Sequence, residues 1–198
     1  GTLTLTSGKL NIGSNTLTLN GAVSRTGGFM AGSHAAGLVI AGNAGNLHFG
    51  SAGTDAYLKS LTVNNGASAT LATPLQITAG TVPSDEGVVT VTGTGVLNTG
   101  GNLTLKSNAN GTARIAAGRT TGGYINGNVT VERYIPQTAS KAWRLLASTT
   151  SGQTIRQAWQ ENQTGFNSNT NPGFGMMIPG RKSVFGTLAN AQAAGFDT

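Results

Sequence analysis

Apolar residues in this chain recur as short triplets in which a polar residue lies between two apolar ones. Five triplets begin 14 residues apart, at Leu47, Leu61, Leu75, Val89 and Leu103. Three earlier triplets begin 7 residues apart, at Leu3, Leu10 and Leu17. Successive side chains of a β-strand point to opposite faces, so each triplet predicts a strand of about three residues with one apolar face.

Strands this short predict a stacked solenoid. In stacked turns each strand pairs with the turns above and below, and its apolar side joins a continuous core. Gly and Asn between the triplets, as at 13–15 and 64–66, suit corners that need a positive φ. We therefore predict an all-β fold, a right-handed parallel β-helix. The alternative is a β-sandwich, whose strands usually have roughly five or more residues.

The spacing leaves two descriptions of one turn. Weaker apolar positions fall between the strong triplets, at Ala69, Val82 and Val96. Three sides of about seven residues predict turns of about 21 residues, and two sides predict turns of about 14. We favour three sides, because the strong and weak triplets do not require a flattened two-sided coil.

The chain divides into two predicted parts near residue 120. Residues 1–120 form the β-solenoid, with an irregular loop over about 24–46 in which Leu38-Val39-Ile40 keeps one strand in the stack. Residues 121–198 contain both tryptophans and most of the other aromatic residues. Because the last turn of a solenoid has an open edge, we expect this part to begin a β-rich capping domain.

Composition favours an extracellular repeat protein. Charged residues make up 9% of the chain, and 31 of its 198 residues are Gly. The net charge of +6 comes from scattered Lys and Arg without a basic run, so we expect no nucleic-acid partner. The chain has no Cys, no signal peptide and no apolar run long enough for a membrane span. Both ends fall in mid-pattern, so we expect it to be part of a longer polypeptide.

Candidate catalytic and metal-binding residues are few. Asp55, Asp85 and Glu86 are the carboxylates of the predicted solenoid, and the last two lie in a turn at 83–87, which favours a solvated corner over a paired acid site. His48 is the central, outward residue of its triplet, and His34 lies in the irregular loop. We therefore predict no catalytic residue, no metal site and no cofactor.

Three aromatic residues form one candidate binding site. Tyr134, Trp143 and Trp159 are large rings near the start of the predicted cap, where they could stack on sugars. The alternative is that these rings pack in the core of the cap.

Four segments in the second half resemble one class of secreted proteins. They are residues 127–136 (GNVTVERYIP), 142–146 (AWRLL), 154–161 (TIRQAWQE) and 171–175 (NPGFG). Large secreted β-helix proteins of Bacteroidota carry similar segments after a Gly/Thr-rich repeat. The resemblance implies export by the type IX secretion machinery, directed by a C-terminal sorting domain outside this chain, and an extracellular or cell-surface location. It supplies no catalytic residues.

Together these observations predict a non-catalytic, adhesin-like structural surface protein whose partners are surface glycans or other cell-surface proteins. An ice-binding solenoid is an alternative, because outward Thr residues such as Thr62, Thr90 and Thr104 can order water. His48 and Gln76 occupy the equivalent central positions of other triplets and weaken this alternative. A glycan-binding solenoid, or the non-catalytic part of a polysaccharide-active enzyme, is also left open.

Overall fold

The computed structural model describes residues 1–51, 53–116 and 124–134, all within one compact unit, Gly1–Thr138. The regular elements of this described part are all β-strands. They are β1 Leu3–Leu5, β2 Lys9–Asn11, β3 Thr16–Leu19, β4 Val23–Arg25, β5 Phe29–Ala31, β6 Gly37–Ile40, β7 Asn43–Leu47, β8 Tyr57–Leu58, β9 Ser60–Val63, β10 Ser68–Leu71, β11 Leu75–Ile77, β12 Val88–Val91, β13 Val96–Asn98, β14 Leu103–Leu105, β15 Ser107–Asn108, β16 Gly111–Thr112, β17 Arg114–Ile115, β18 Ile125–Asn126 and β19 Val129–Val131.

The strands form three parallel sides that the chain visits in the same order in every turn. Side A contains the pair β1-β4 and the sheet β7-β10-β13-β18. Side B contains the pair β2-β5 and the sheet β8-β11-β14-β19, and side C is the five-stranded sheet β3-β6-β9-β12-β17. The predicted parallel β-solenoid with three sides is therefore confirmed, with about five turns. The right-handed sense of the coil stays a prediction.

The register explains the 14-residue spacing of the triplets. On side C, Thr16 pairs with Gly37, Gly37 with Ser60, and Ser60 with Val88, so successive offsets are 21, 23 and 28 residues. The triplets at 61 and 89 belong to side C, whereas those at 75 and 103 belong to side B. The period of 14 is thus half of a 28-residue turn, measured alternately on two different sides.

Inward side chains stack in columns that make the core. On side C, Leu38, Leu61 and Val89 are in register and fully buried. A second column joins Ile40 to Val63 in the same two pairings. Apolar area removed from water contributes roughly 25 cal/mol per Å², and a column shares its burial between adjacent turns. The apolar positions of the triplets therefore stabilise the stack rather than a single turn.

The predicted irregular loop over 24–46 is wrong, although its strand at Leu38-Val39-Ile40 is present. This region contains β5 and β6 and parts of β4 and β7, and its strands pair in parallel with those of the first turn. Several inward residues here are small or unbranched, among them Met30, Ala36 and Ala44, which are fully buried. A search for Leu, Val and Ile triplets misses a turn whose core positions are filled in this way.

Residues 124–131 continue the stack beyond the predicted division at 120. Ile125 pairs with Leu97 on side A, and Val129 pairs with Leu103 on side B. The sequence division assigned these residues to the cap, whereas their pairing makes them part of a sixth turn. The predicted capping domain itself falls mainly on residues outside the described part.

Candidate functional site

The outer surface of side C carries two columns of small uncharged side chains, which we call face C. The first column contains Thr18, Val39, Thr62 and Thr90, and the second contains Thr16, Gly37, Ser60 and Val88. Apart from Gly37, these residues are exposed or half-buried, whereas the alternate residues of β6, β9 and β12 point into the core. Face C therefore follows directly from the period of two in these strands.

Gly37 lets two hydroxyls approach each other on face C. A Cβ atom at Gly37 would lie 2.6 Å from Thr16 Oγ1 and 2.9 Å from Ser60 Oγ. These distances are too short for a carbon atom, so a larger residue would displace the hydroxyls. The Gly leaves both hydroxyls on the surface in one column, separated by a single turn.

The backbone beneath face C is continuously hydrogen-bonded. Just after the strands of side C, the amides of Ala41, Asn64 and Thr92 donate to carbonyls of the preceding turn at 2.8–2.9 Å. Just before them, Lys59 N donates to Ala36 O at 2.8 Å and Val88 N donates to Lys59 O at 2.9 Å. The columns of face C are therefore held in register at both ends of each strand.

Side B presents a different outward column. Tyr57, Gln76, Thr104 and Thr130 are in register on this side. Thr104 therefore does not share a face with Thr62 and Thr90, as the sequence analysis assumed, and Gln76 does not interrupt their column. His48 lies between β7 and the bridge of Phe49 to Met30, so it is also absent from face C.

Side A carries a column of hydrogen-bonded amide and hydroxyl groups. Asn98 Nδ2 donates to Thr70 Oγ1 at 3.4 Å, and Asn126 Nδ2 donates to Asn98 Oδ1 at 3.1 Å. One row away, Ser68 Oγ donates to Asn43 Oδ1 at 3.0 Å. These polar groups satisfy one another between turns, which is a structural use of the side-chain amides.

The chain passes from side B to side C at corner BC, which comprises residues 12–15, 32–36, 59, 78–87 and 106–113. Its length varies from one residue at Lys59 to ten residues at 78–87. The hairpin of β15 and β16 lies at this corner, and Asn108 Nδ2 donates to Gly80 O at 2.9 Å. Val82 is 56% exposed here. The expectation that Val82 occupies a weak apolar strand position is wrong.

Ion pairs concentrate at corner BC. Lys59 pairs with Asp85, Arg114 lies 4.0 Å from Glu86, and Lys106 lies 2.5 Å from Glu132. On side B, Lys9 Nζ lies 3.3 Å from Asp55. Each carboxylate of the described residues thus has a cationic partner in another turn.

Asp85 and Glu86 lie in the solvated turn that the sequence predicts, because no strand covers residues 78–87. The hydrogen bond from Lys59 holds the pKa of Asp85 below its ordinary value, with smaller effects from the Lys59 charge and from Thr81. A carboxylate with a lowered pKa is a poor general acid near neutral pH. The arrangement suits an ion pair rather than proton transfer.

The two histidines lie in separate places. His34 Nδ1 is 3.0 Å from Thr78 Oγ1, and its ring lies 4.2 Å from the ring of Tyr57 at an interplanar angle of 45°. Burial, and then the charge of Arg25, lower the pKa of His48. Within residues 1–51, 53–116 and 124–134, no three His, Cys, Asp or Glu residues converge into a group that could hold a metal ion.

The predicted aromatic site is described only at its first residue. Tyr134 is 48% exposed, and its amide donates to Ser107 Oγ at 2.8 Å. Trp143 and Trp159 lie outside the described residues, so the sugar-stacking site stays a prediction. In the part of the chain that the structure describes, no helix has the length and apolar character needed to cross a membrane.

Face C is the feature that reasoning from the sequence missed. Its signal is the 28-residue spacing from Thr62 to Thr90, which the shorter 14-residue period hides. No family model, no curated protein and no solved structure matches the chain.

Proposed function

We propose that this chain is a non-catalytic, adhesin-like structural segment of an extracellular surface protein. The observation that carries the proposal is the stack itself, in which parallel strands from successive turns pair on three sides. Such a stack buries a continuous core and presents long columns of side chains. A regular surface of this kind suits binding to an extended partner.

The use of charge in the described part supports a structural role. Its carboxylates lie in ion pairs that connect different turns, the pairs Lys59–Asp85 and Lys106–Glu132 being examples. Glycoside hydrolysis generally uses two carboxyl groups that flank one bond. Here the paired carboxylates have cationic neighbours and lie at different levels of the stack.

The place of action and the partners rest on the resemblance of residues 127–175. We propose export by the type IX secretion machinery to the cell surface or the medium. Surface glycans or other cell-surface proteins are the proposed partners, and Tyr134 is the described member of the proposed sugar-stacking group. An exposed ring supplies an apolar face for a sugar and a hydroxyl for a hydrogen bond.

Binding and turnover measurements on residues 1–198 test this function. We expect saturable binding to a subset of glycans on an array or to intact bacterial cells, and no release of products from a panel of polysaccharides. Tyr134→Ala is expected to weaken glycan binding, whereas Tyr134→Phe, which keeps the ring, should retain most of it. Product release that increases with protein concentration would contradict the non-catalytic proposal, and an absence of binding to both glycans and cells would contradict adhesion.

A further inference from the structure

We propose that face C binds ice. The inference goes beyond the adhesive role and does not rest on it, because it concerns one side of the solenoid and a crystalline form of water rather than a glycan. It starts from the register of β3, β6, β9 and β12, which brings Thr18, Thr62 and Thr90 into one column with Val39.

The columns of face C form a lattice with two regular spacings. Strands paired in a sheet lie about 4.8 Å apart, so neighbouring members of a column are separated by about this distance. The two columns are two residues apart along each strand, which corresponds to about 6.6 Å at a rise of about 3.3 Å per residue. A two-dimensional lattice of hydroxyl and methyl groups can match the regular oxygen positions of an ice surface, whereas disordered water offers no such repeat.

The lattice is held rigid from below and within each side chain. Branching at Cβ restricts χ1 of Thr and Val, so their methyl and hydroxyl groups take few orientations. Beneath them, Leu61, Val63 and Val89 are fully buried or nearly so. Groups that are already ordered lose little conformational entropy when they bind a solid surface.

The chemistry of face C favours ice over other flat partners. The two columns in β3, β6, β9 and β12 contain Thr, Ser, Val and Gly, and they carry neither a charge nor an aromatic ring. An ice surface is uncharged and offers hydrogen-bond donors and acceptors. A crystalline polysaccharide offers apolar sugar faces, which aromatic rings bind by stacking, and face C has no ring for this purpose.

Other surfaces of the same molecule provide internal contrasts. Side B carries Tyr57 and Gln76 in its outward column, and corner BC carries three ion pairs. Charged groups hold hydration shells that do not match an ice lattice. The first charge in register with a column of face C is Arg114, in the fifth turn, where it pairs with Val88.

The test compares matched substitutions on two sides. The double variant Thr62→Lys with Thr90→Lys places charges on face C, and Thr104→Lys with Thr130→Lys places them in the corresponding column of side B. We expect the unmodified chain to partition into slowly growing ice and to show thermal hysteresis. The face C variant should lose most of both activities, whereas the side B variant should keep them.

Circular dichroism melts check that each variant is folded. If the Lys variants are destabilised, Thr62→Asn with Thr90→Asn provides a second pair of changes, which keeps the face uncharged but removes the methyl groups, and the same loss is expected. Exclusion of the unmodified chain from ice, or an equal loss in the face C and side B variants, would overturn the inference. Binding to crystalline cellulose or chitin without binding to ice would also overturn it. Glycan binding through Tyr134 is expected to survive the face C variant, so the two proposals can fail separately.

Discussion

Side C and corner BC of this solenoid differ in what they allow in each turn. The first four strands of side C have four residues each, bury two columns of apolar side chains and place small uncharged residues outside. Corner BC changes length from turn to turn, contains the hairpin of β15 and β16, and holds most of the ion pairs. The two regions adjoin each other in every turn.

Their difference shows where a stacked fold tolerates variation. A strand of side C pairs with both neighbouring turns, so an added residue would shift its side chains to the opposite face. Residues at the corner have fewer fixed backbone partners and reach solvent, so extra residues and charges cost little there. The stack thus confines its irregular features to the corner while side C keeps its lattice.

Inserting one residue should have the largest effect. A Ser inserted between Leu61 and Thr62 would turn Val63 outward and a polar residue inward, so we expect loss of the cooperative unfolding transition. A Ser inserted between Thr81 and Val82, within corner BC, should leave the transition nearly unchanged. Thermal melts followed by circular dichroism measure both, and equal damage by the two insertions would contradict the comparison.

Truncating a core side chain should have the next largest effect. Leu61 is fully buried, so Leu61→Ala should reduce the free energy of unfolding by about 2–5 kcal/mol through lost burial and a residual cavity. Val82→Ala at the exposed position of corner BC should change it by less than about 0.5 kcal/mol. Urea denaturation checks the difference. Comparable losses would mean that Val82 is packed rather than exposed.

A third prediction extends the comparison to the corner between sides A and B. Thr99 is fully buried there, and its hydroxyl lies 2.8 Å from the carbonyl of Asn128 and 3.3 Å from the amide of Gly101. Thr99→Val leaves these groups without that partner and should cost about 1–3 kcal/mol in urea denaturation. Thr99→Ser keeps the hydroxyl and should cost less. The reverse order of the two variants would show that the methyl group, rather than the hydrogen bonds, matters at this corner.

The smallest effect concerns the ion pair of Lys59 and Asp85. The pKa of Asp85 is lowered in the folded state, so its contribution to stability is present above the ordinary Asp pKa of about 3.9 and is lost as the pH falls through the lower folded value. Lys59→Met should raise the pKa of Asp85 toward its ordinary value and reduce the stability measured at neutral pH slightly. An NMR titration of the Asp85 carboxyl group measures the shift. An unchanged pKa in the variant would mean that Lys59 is not its cause.

Local sequence features predict the strands better than they predict their arrangement. The alternation in Leu61-Thr62-Val63 and Leu103-Thr104-Leu105 identifies two strands and their buried faces, and both are confirmed. The same alternation does not say that these strands lie on different sides. Only the ladder, which pairs Leu61 with Val89 and Leu103 with Leu75, separates the two sets.

Two wrong expectations have physical explanations of the same kind. Val82 is apolar and falls near the half-period, but the corner around it lies outside the ladder, so it is exposed. Residues 24–46 contain few strong triplets, but Ala36, Ala44 and Met30 fill the core where the neighbouring turns leave limited space. Hydrophobicity alone does not distinguish an apolar residue in a loop from a small residue in the core.

What the sequence determined by itself was the strand chemistry: the period of two, the Gly and Asn corners, the parallel stack of three-sided turns and the scarcity of charge. These properties are local, or repeat at short range, and each turn displays them. What only the tertiary structure decided was which residues share a face, which turns are lengthened at corner BC and which charges meet. Turns of 20 to 28 residues place Thr62 beside Thr90 and Lys59 beside Asp85 through pairing between distant parts of the chain. The backbone ladder and the buried columns, rather than any spacing along the sequence, fix that pairing.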